Sequence, residues 1–303
     1  MNIFHLRILI LLPFFLVLCF HSRGQSNSEI TILKDVVYGH AGGVDLKLDL
    51  AHPTGGIGPH PAIVFFHGGG WQQGNKSHMH KWLRMFAAEG YLAVTVGYRF
   101  APEFKWPCQV EDAKNAVRFL RAHAAKYNVD PNRIGVMGES AGGYLALMSA
   151  VTDRKDSLEG NGGWTNYSSK VQASASYFSA ADFTTSRPAL SPAVEEEVQR
   201  YYNKSLQQVL TDFTGATSPD DPILKRISVS AYIDKNDPPV LLFQGDKDPF
   251  VSVEQAEKLN RALEEANVPH ELIIVEGGGH GWSGELEAKT NVELIEFFER
   301  NLK

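Results

Sequence analysis

Residues 62–66 (Ala-Ile-Val-Phe-Phe) form an apolar run with no polar alternation, as expected of a strand covered on both faces. Similar runs recur at residues 92–96, 134–137, 175–178, 240–243 and 272–275, and together they predict a parallel core. Between them the spacing turns helical. Over residues 109–125, Val110, Ala113, Val117, Leu120 and Ala124 share one stripe, the pattern of a helix packed on one side. Further helices are predicted over residues 81–89, 144–152, 253–266 and 291–301. Earlier, Val44, Leu46, Leu48 and Leu50 alternate with polar positions after Gly42-Gly43, which reads as antiparallel strands joined by a turn. Strands alternating with helices predict an α/β fold: a doubly wound, mostly parallel sheet of about eight strands with helices on both faces. In such sheets ligands bind beyond the carboxyl ends of the strands. Residues 182–237 break the rhythm. They are polar, carry Pro188, Pro192, Pro219 and Pro222, and read as an insertion over the site.

The N-terminus changes the picture of where the chain works. Arg7 leads into an apolar run over residues 8–20, shorter than the ~20 residues needed to span a bilayer but suited to a signal peptide. Ser22 and Gly24 carry the small-residue spacing of a cleavage site, so residues 1–24 are expected to be a signal peptide and residues 25–303 one catalytic domain. The expected location is exported, periplasmic or secreted. Cys19 sits where a lipoprotein would be acylated, but Leu18 precedes it where a small residue is wanted. Cys108 is the second of the chain's 2 cysteines, and no intrachain disulfide is expected after signal removal. The remaining composition, 43% hydrophobic and 21% charged, is that of an ordinary globular protein. A net charge of -6 without a long basic run excludes nucleic acid as a partner.

The chemistry is carried by the loops that follow the predicted strands. Gly138-Glu139-Ser140-Ala141-Gly142 ends the run at 134–137 and opens a helix, the context of a nucleophile elbow. His67-Gly68-Gly69-Gly70-Trp71 follows residues 62–66. Its glycines let backbone N–H groups approach one oxygen, so Gly69, Gly70 and Ala141 are the expected oxyanion-hole donors. A phosphate loop would carry a Lys and a Ser or Thr directly after its last glycine, which these glycines lack. A serine needs a histidine to take its proton and a carboxylate to orient that histidine. Of the 11 histidines, His280 lies in Gly277-Gly278-Gly279-His280-Gly281-Trp282, just after a strand. His67 is read as loop framework, and His78, His80, His123 and His270 as surface residues. For the acid, Asp246 and Asp248 both follow the strand at 240–243, and position alone does not separate them.

These blocks, with Tyr98-Arg99-Phe100-Ala101-Pro102-Glu103, Asp130-Pro131-Asn132-Arg133 and Asp237-Pro238-Pro239 in the same order, resemble the α/β-hydrolase superfamily. The similarity is to its hormone-sensitive-lipase-like and carbohydrate-esterase-like (BD-FAE-type) branches. The resemblance implies that the acid is the second aspartate of G-D-x-D-x-x-V, Asp248. It implies a triad of Ser140, Asp248 and His280, a serine esterase acting through an acyl-enzyme, and no cofactor or metal. It also implies a substrate among carbohydrate esters carrying acetyl or feruloyl groups, or else a general carboxylesterase or lipase acting on small or lipid esters. A serine peptidase and a non-catalytic binding module are the remaining alternatives. Trp71, Trp282 and Tyr144 are candidate substrate contacts. The N-terminal part is short beside relatives with a helical cap, which implies a more open site. Arg99, Pro102, Asp112 and Arg133 are assigned to structure.

Overall fold

The computed structural model describes residues 30–184 and 191–303, together with the backbone of residues 5–9. Nine strands form one sheet: β1 (His5–Leu9), β2 (Ile32–Ala41), β3 (Val44–Ala51), β4 (His60–Phe66), β5 (Leu92–Val96), β6 (Val129–Glu139), β7 (Ala173–Tyr177), β8 (Val240–Gly245) and β9 (His270–Val275). Their order is β1-β9-β8-β7-β6-β4-β5-β3-β2. Only the β2/β3 and β3/β5 pairs are antiparallel. The predicted mixed, mostly parallel sheet is therefore the observed one, with β1 added beside β9. Of the expected signal segment only that strand is described, and the cleavage site lies outside the described residues.

The continuous apolar runs supply both faces of the sheet, because successive strand side chains point to opposite sides. In β4, Ala62, Val64 and Phe66 join one buried cluster, whereas Ile63 and Phe65 join the other. The first is closed by α2 (Cys108–Ala122), α4 (Ala141–Val151) and α8 (Val253–Glu265), the second by α1 (His80–Ala88) and α9 (Glu285–Leu302). The predicted 109–125 helix is interrupted. A separate turn, α3 (Ala124–Tyr127), follows α2 and ends at Asn128 in the left-handed region, φ 54°. The chain thereby turns into β6. Helix α9 starts six residues earlier than predicted, because its first turns are polar and leave no apolar stripe.

Charged groups on the inner side of α2 are paired. Arg99 bonds Asp112 through Nη2 and Oδ1 at 2.7 Å and through Nε to Oδ2 at 2.9 Å. Lys114 and Arg118, both fully buried, reach Glu159 at 3.0 and 2.7 Å. Arg133 bonds Asp130 at 2.8 Å. These contacts fit the structural roles expected of Arg99, Asp112 and Arg133.

The irregular region around residues 182–237 is largely helical: α5 (Pro192–Tyr202), α6 (Leu206–Thr214) and α7 (Ile223–Ile227). Ser191 caps α5 by accepting from the Val194 N–H, with Pro192 at the first helical position. Ser205 caps α6, which stops at Gly215, φ 75°. On this side α5 and α6 border the cavity that holds Ser140. Among the described residues no helix is long and apolar enough to cross a membrane.

Candidate active site

Ser140 sits where β6 ends and α4 begins, with φ 52° and ψ -117°. A non-glycine residue is rarely found there, and the surroundings must enforce it. The enforcement is steric. A Cβ on Gly142 would lie 2.0 Å from the Phe66 carbonyl oxygen, and one on Gly138 would lie 2.1 Å from the Gly142 oxygen. The Ser140 N–H donates to the Tyr177 carbonyl at the end of β7, 2.9 Å. The side chain is thereby lifted clear of the sheet.

Two loops from neighbouring strands meet it. His280 Nε2 lies 2.8 Å from Ser140 Oγ, and His280 Nδ1 lies 2.8 Å from Asp248 Oδ2. The Asp248 side chain is fully buried. Its Oδ1 accepts from the Phe250 and Val251 N–H groups at 2.8 and 2.9 Å, and Gln244 Nε2 donates to Oδ2 at 3.1 Å. Such donors fix the direction of the carboxylate. Asp246 points elsewhere, accepting the Gly277 N–H at 2.6 Å. Of the two candidate aspartates, the structure brings Asp248 to the histidine and uses Asp246 to tether the histidine loop.

The glycine loop runs past the same serine. Gly69 and Gly70 have φ 121° and 58°, and a Cβ on Gly68 would stand 3.3 Å from Ser140 Cβ. Gly69, Gly70 and Ala141 all border a cavity of about 480 Å³ that contains Ser140 and His280. The Ala141 N–H begins α4, where the helix dipole favours negative charge. His67 is buried beneath this loop, its ring stacked on Tyr98 at 4.4 Å. Burial pushes its pKa down to about 4, so the ring is neutral at ordinary pH. Nδ1 donates to the Gly68 carbonyl at 2.7 Å, whereas Nε2 has no partner among the described residues.

The candidate substrate contacts divide. Trp282 borders the cavity, held by Nε1 to Thr290 Oγ1 at 2.9 Å. Trp71 is only 4% exposed; it stacks on Phe213 at 3.9 Å and donates to the Ala141 carbonyl at 3.0 Å. It borders the cavity and braces the glycine loop against the elbow. The expectation for Tyr144 is corrected. It is 0% exposed, and its hydroxyl accepts from Trp106 Nε1 at 2.9 Å, inside the core and off the cavity wall. His270 is likewise corrected from surface to buried, since it starts β9 and its Nδ1 donates to the Val268 carbonyl at 2.8 Å. Cys108 is a free thiol that burial pushes up, which disfavours a nucleophilic thiolate.

Residues 48–263 match the sequence profile of the BD-FAE family. The chain belongs to the BD-FAE family, a group of esterases within the α/β-hydrolase superfamily. This BD-FAE member is 26% identical over 252 residues to esterase LipQ of Mycobacterium tuberculosis, covering 81% of this chain and 56% of LipQ. It spans about half the length of the curated relatives it matches. Among solved structures it superposes on a truncated carbohydrate esterase from gut microbiota with a TM-score of 0.76 and 26% identity, covering 89% of this chain and 96% of that one. A propionate-bound esterase, Est2 of Thermogutta terrifontis, gives a TM-score of 0.67 at 28% identity, covering 91% and 93%.

Several residues at this BD-FAE site escape a reading of the sequence. Gln244 sits within the β8 run yet turns its amide onto Asp248. Tyr202 of α5 packs over the glycine loop: a Cβ on Gly70 would lie 2.9 Å from its ring and hydroxyl. Lys81, Trp82, Glu139 and Glu287 form one polar wall of the cavity. Only Glu139 carried a signal, as the residue before the serine. Burial raises its pKa, while Lys81 and the Trp82 N–H oppose that shift.

Proposed function

We propose that this protein is a serine carboxylic-ester hydrolase whose substrates are carbohydrate esters bearing short acyl groups such as acetyl, or feruloyl groups. The observation that carries the reading is the unbroken line of hydrogen bonds from Asp248 through His280 to Ser140, beside a cavity bordered by Gly69, Gly70 and Ala141. On this reading Ser140 Oγ attacks the ester carbonyl as His280 Nε2 takes its proton. The oxyanion collects hydrogen bonds from the Gly69, Gly70 and Ala141 N–H groups, each worth about 3 kcal/mol in the transition state. The alkoxide leaves with the proton from His280. Water, deprotonated by the same histidine, then attacks the acyl-enzyme and releases the acid and free Ser140.

Support for carbohydrate esters comes from the likeness to the gut carbohydrate esterase over nearly all of that chain. A second reading, a general carboxylesterase, is favoured by the apolar wall that Val198, Leu206, Val209 and Leu210 give the cavity. The engaged serine, histidine and aspartate favour either reading over a non-catalytic binding module. The test is hydrolysis of p-nitrophenyl acetate, acetylated xylo-oligosaccharides and feruloylated oligosaccharides by the wild type and Ser140→Ala. Preference for the sugar esters, with rates that fall on the order of 10⁴-fold or more in Ser140→Ala, is the expected outcome. Activity confined to small synthetic esters would leave the general carboxylesterase, and rates that survive Ser140→Ala would overturn both readings. Export belongs to the same proposal, and sequencing the N-terminus of secreted protein should find Gln25 first.

A further inference from the structure

The cavity has two walls of opposite character that meet at Ser140 and His280. One is the mainly apolar side contributed by α5 and α6, where Glu197 is the one charged residue. The other is built from α1, α9 and the residue before the nucleophile. There, Lys81 Nζ lies 2.7 Å from Glu287 Oε1 and 4.0 Å from Glu139 Oε1. Trp82 Nε1 donates to Glu139 Oε1 at 2.8 Å. Every one of these bonds ends on an Oε1 atom. The Oε2 atoms of Glu139 and Glu287 accept no hydrogen bond from the described residues, although both side chains border the cavity. Three separate elements thus bring two acceptors and an ammonium to one wall of the cavity that Ser140 also lines.

We propose that Lys81, Glu139 and Glu287 form a subsite for the neutral, polyhydroxylated alcohol portion of the ester. The inference rests on the carbohydrate-ester reading and deepens it. A sugar hydroxyl both donates and accepts, so a ring of hydroxyls matches free carboxylate oxygens beside an ammonium. An acetyl methyl or an aromatic acyl group would displace water from those acceptors without replacing its bonds. Such acyl groups suit the wall carrying Val198, Leu206, Val209 and Leu210. Two carboxylates against one lysine leave negative charge in surplus on the polar wall, which disfavours an acidic sugar.

Lys81 and Glu287 are 54% and 30% exposed on helices, so their substitution leaves the core packing in place. The experiment measures kcat/KM of the wild type, Lys81→Met and Glu287→Gln on an acetylated neutral xylo-oligosaccharide and on p-nitrophenyl acetate. In each variant the ratio of the two is expected to fall about tenfold, mainly through KM for the sugar ester. A wild type without preference for the sugar ester would sink the carbohydrate reading itself. A wild type with that preference, whose variants keep the ratio within about twofold, would overturn the subsite alone. Calorimetric binding of the same oligosaccharide to Ser140→Ala, with and without Glu287→Gln, reads the subsite apart from chemistry and should show a Kd about tenfold weaker in the double variant. Acetylated galacturonate oligomers bound as tightly as the neutral ones would remove the restriction to neutral sugars.

Discussion

The elbow and the insertion both border the cavity, yet they are held in place by different means. At the elbow, backbone meets backbone. Gly138 and Gly142 leave no space for a methyl group, and the Ser140 N–H is bonded across the sheet. The insertion is anchored in the core by Phe213, stacked on Trp71, but its contacts with the segment after the glycine loop run through long side chains. Gln72 Nε2 donates to the Val209 carbonyl at 2.8 Å, Gln73 Nε2 to the Tyr201 carbonyl at 3.3 Å, and Lys204 bridges Gln72 and Asp212 at 2.9 and 2.7 Å. Polar side-chain contacts near solvent contribute little to stability and rearrange readily. The reacting atoms are therefore fixed by close backbone packing, whereas α5, which adds no residue to the two buried clusters, has more room to adjust.

The sharpest way to break this contrast is at the acid. Asp248→Asn should lower kcat on p-nitrophenyl acetate by on the order of 10³–10⁴-fold, while Asp246→Asn, which loosens only the tether to Gly277, should cost less than about tenfold. Similar losses in both would mean that the two aspartates share the role. Next comes Gly142→Ala, whose new methyl meets the Phe66 carbonyl; a loss of about 3 kcal/mol is expected, seen as a Tm lowered by roughly 6–12 °C.

A comparable stability change should follow pH. His67 titrates near 6.5 when unfolded and at about 4 when folded. Protonation therefore favours the unfolded chain, and the stability from its neutral ring is complete above pH 6.5. That contribution is lost as pH falls toward 4, by about 3 kcal/mol in total. Denaturant unfolding of the wild type and His67→Gln at both pH values isolates it, and equal pH dependence in the two proteins would remove His67 as the cause. The smallest effect belongs to the insertion: Gln72→Ala with Gln73→Ala should raise KM a few-fold and shift stability by less than about 1 kcal/mol. A large fall in Tm would mean the insertion is part of the rigid body after all.

What could be read in the sequence follows the same division. The parallel strands announced themselves because a strand covered on both faces has no polar positions, as β4 shows with Ala62 to Phe66. The loops at their ends were legible because glycine is demanded where backbone must pass backbone. The insertion was opaque: α5 and α6 pack against a loop rather than a sheet, and their apolar stripes are thin. The caps Ser191-Pro192 and Ser205 were the signal available there. Position in a loop did not separate Asp246 from Asp248, since the difference lies in which N–H groups each carboxylate faces. Tyr144 misled because an aromatic just after the nucleophile looks like a pocket wall, and only its bond to Trp106 reveals a core residue.

One feature of the sheet reaches beyond this site. At the carboxyl ends of the strands, the Ser140 N–H donates to Tyr177 at the end of β7, and the Phe178 N–H donates to Phe243 of β8 at 2.7 Å. The Asp246 N–H donates to Val275 of β9 at 3.2 Å, and the Lys247 N–H to Gly278 at 2.8 Å. These steps form a staircase of peptide groups from nucleophile to base, and no rung of it involves a side chain. Because no rung uses a side-chain group, a change of side chain along it leaves these peptide hydrogen bonds available. An overlap with a TM-score of 0.76 at only 26% identity is the kind of divergence such an architecture tolerates.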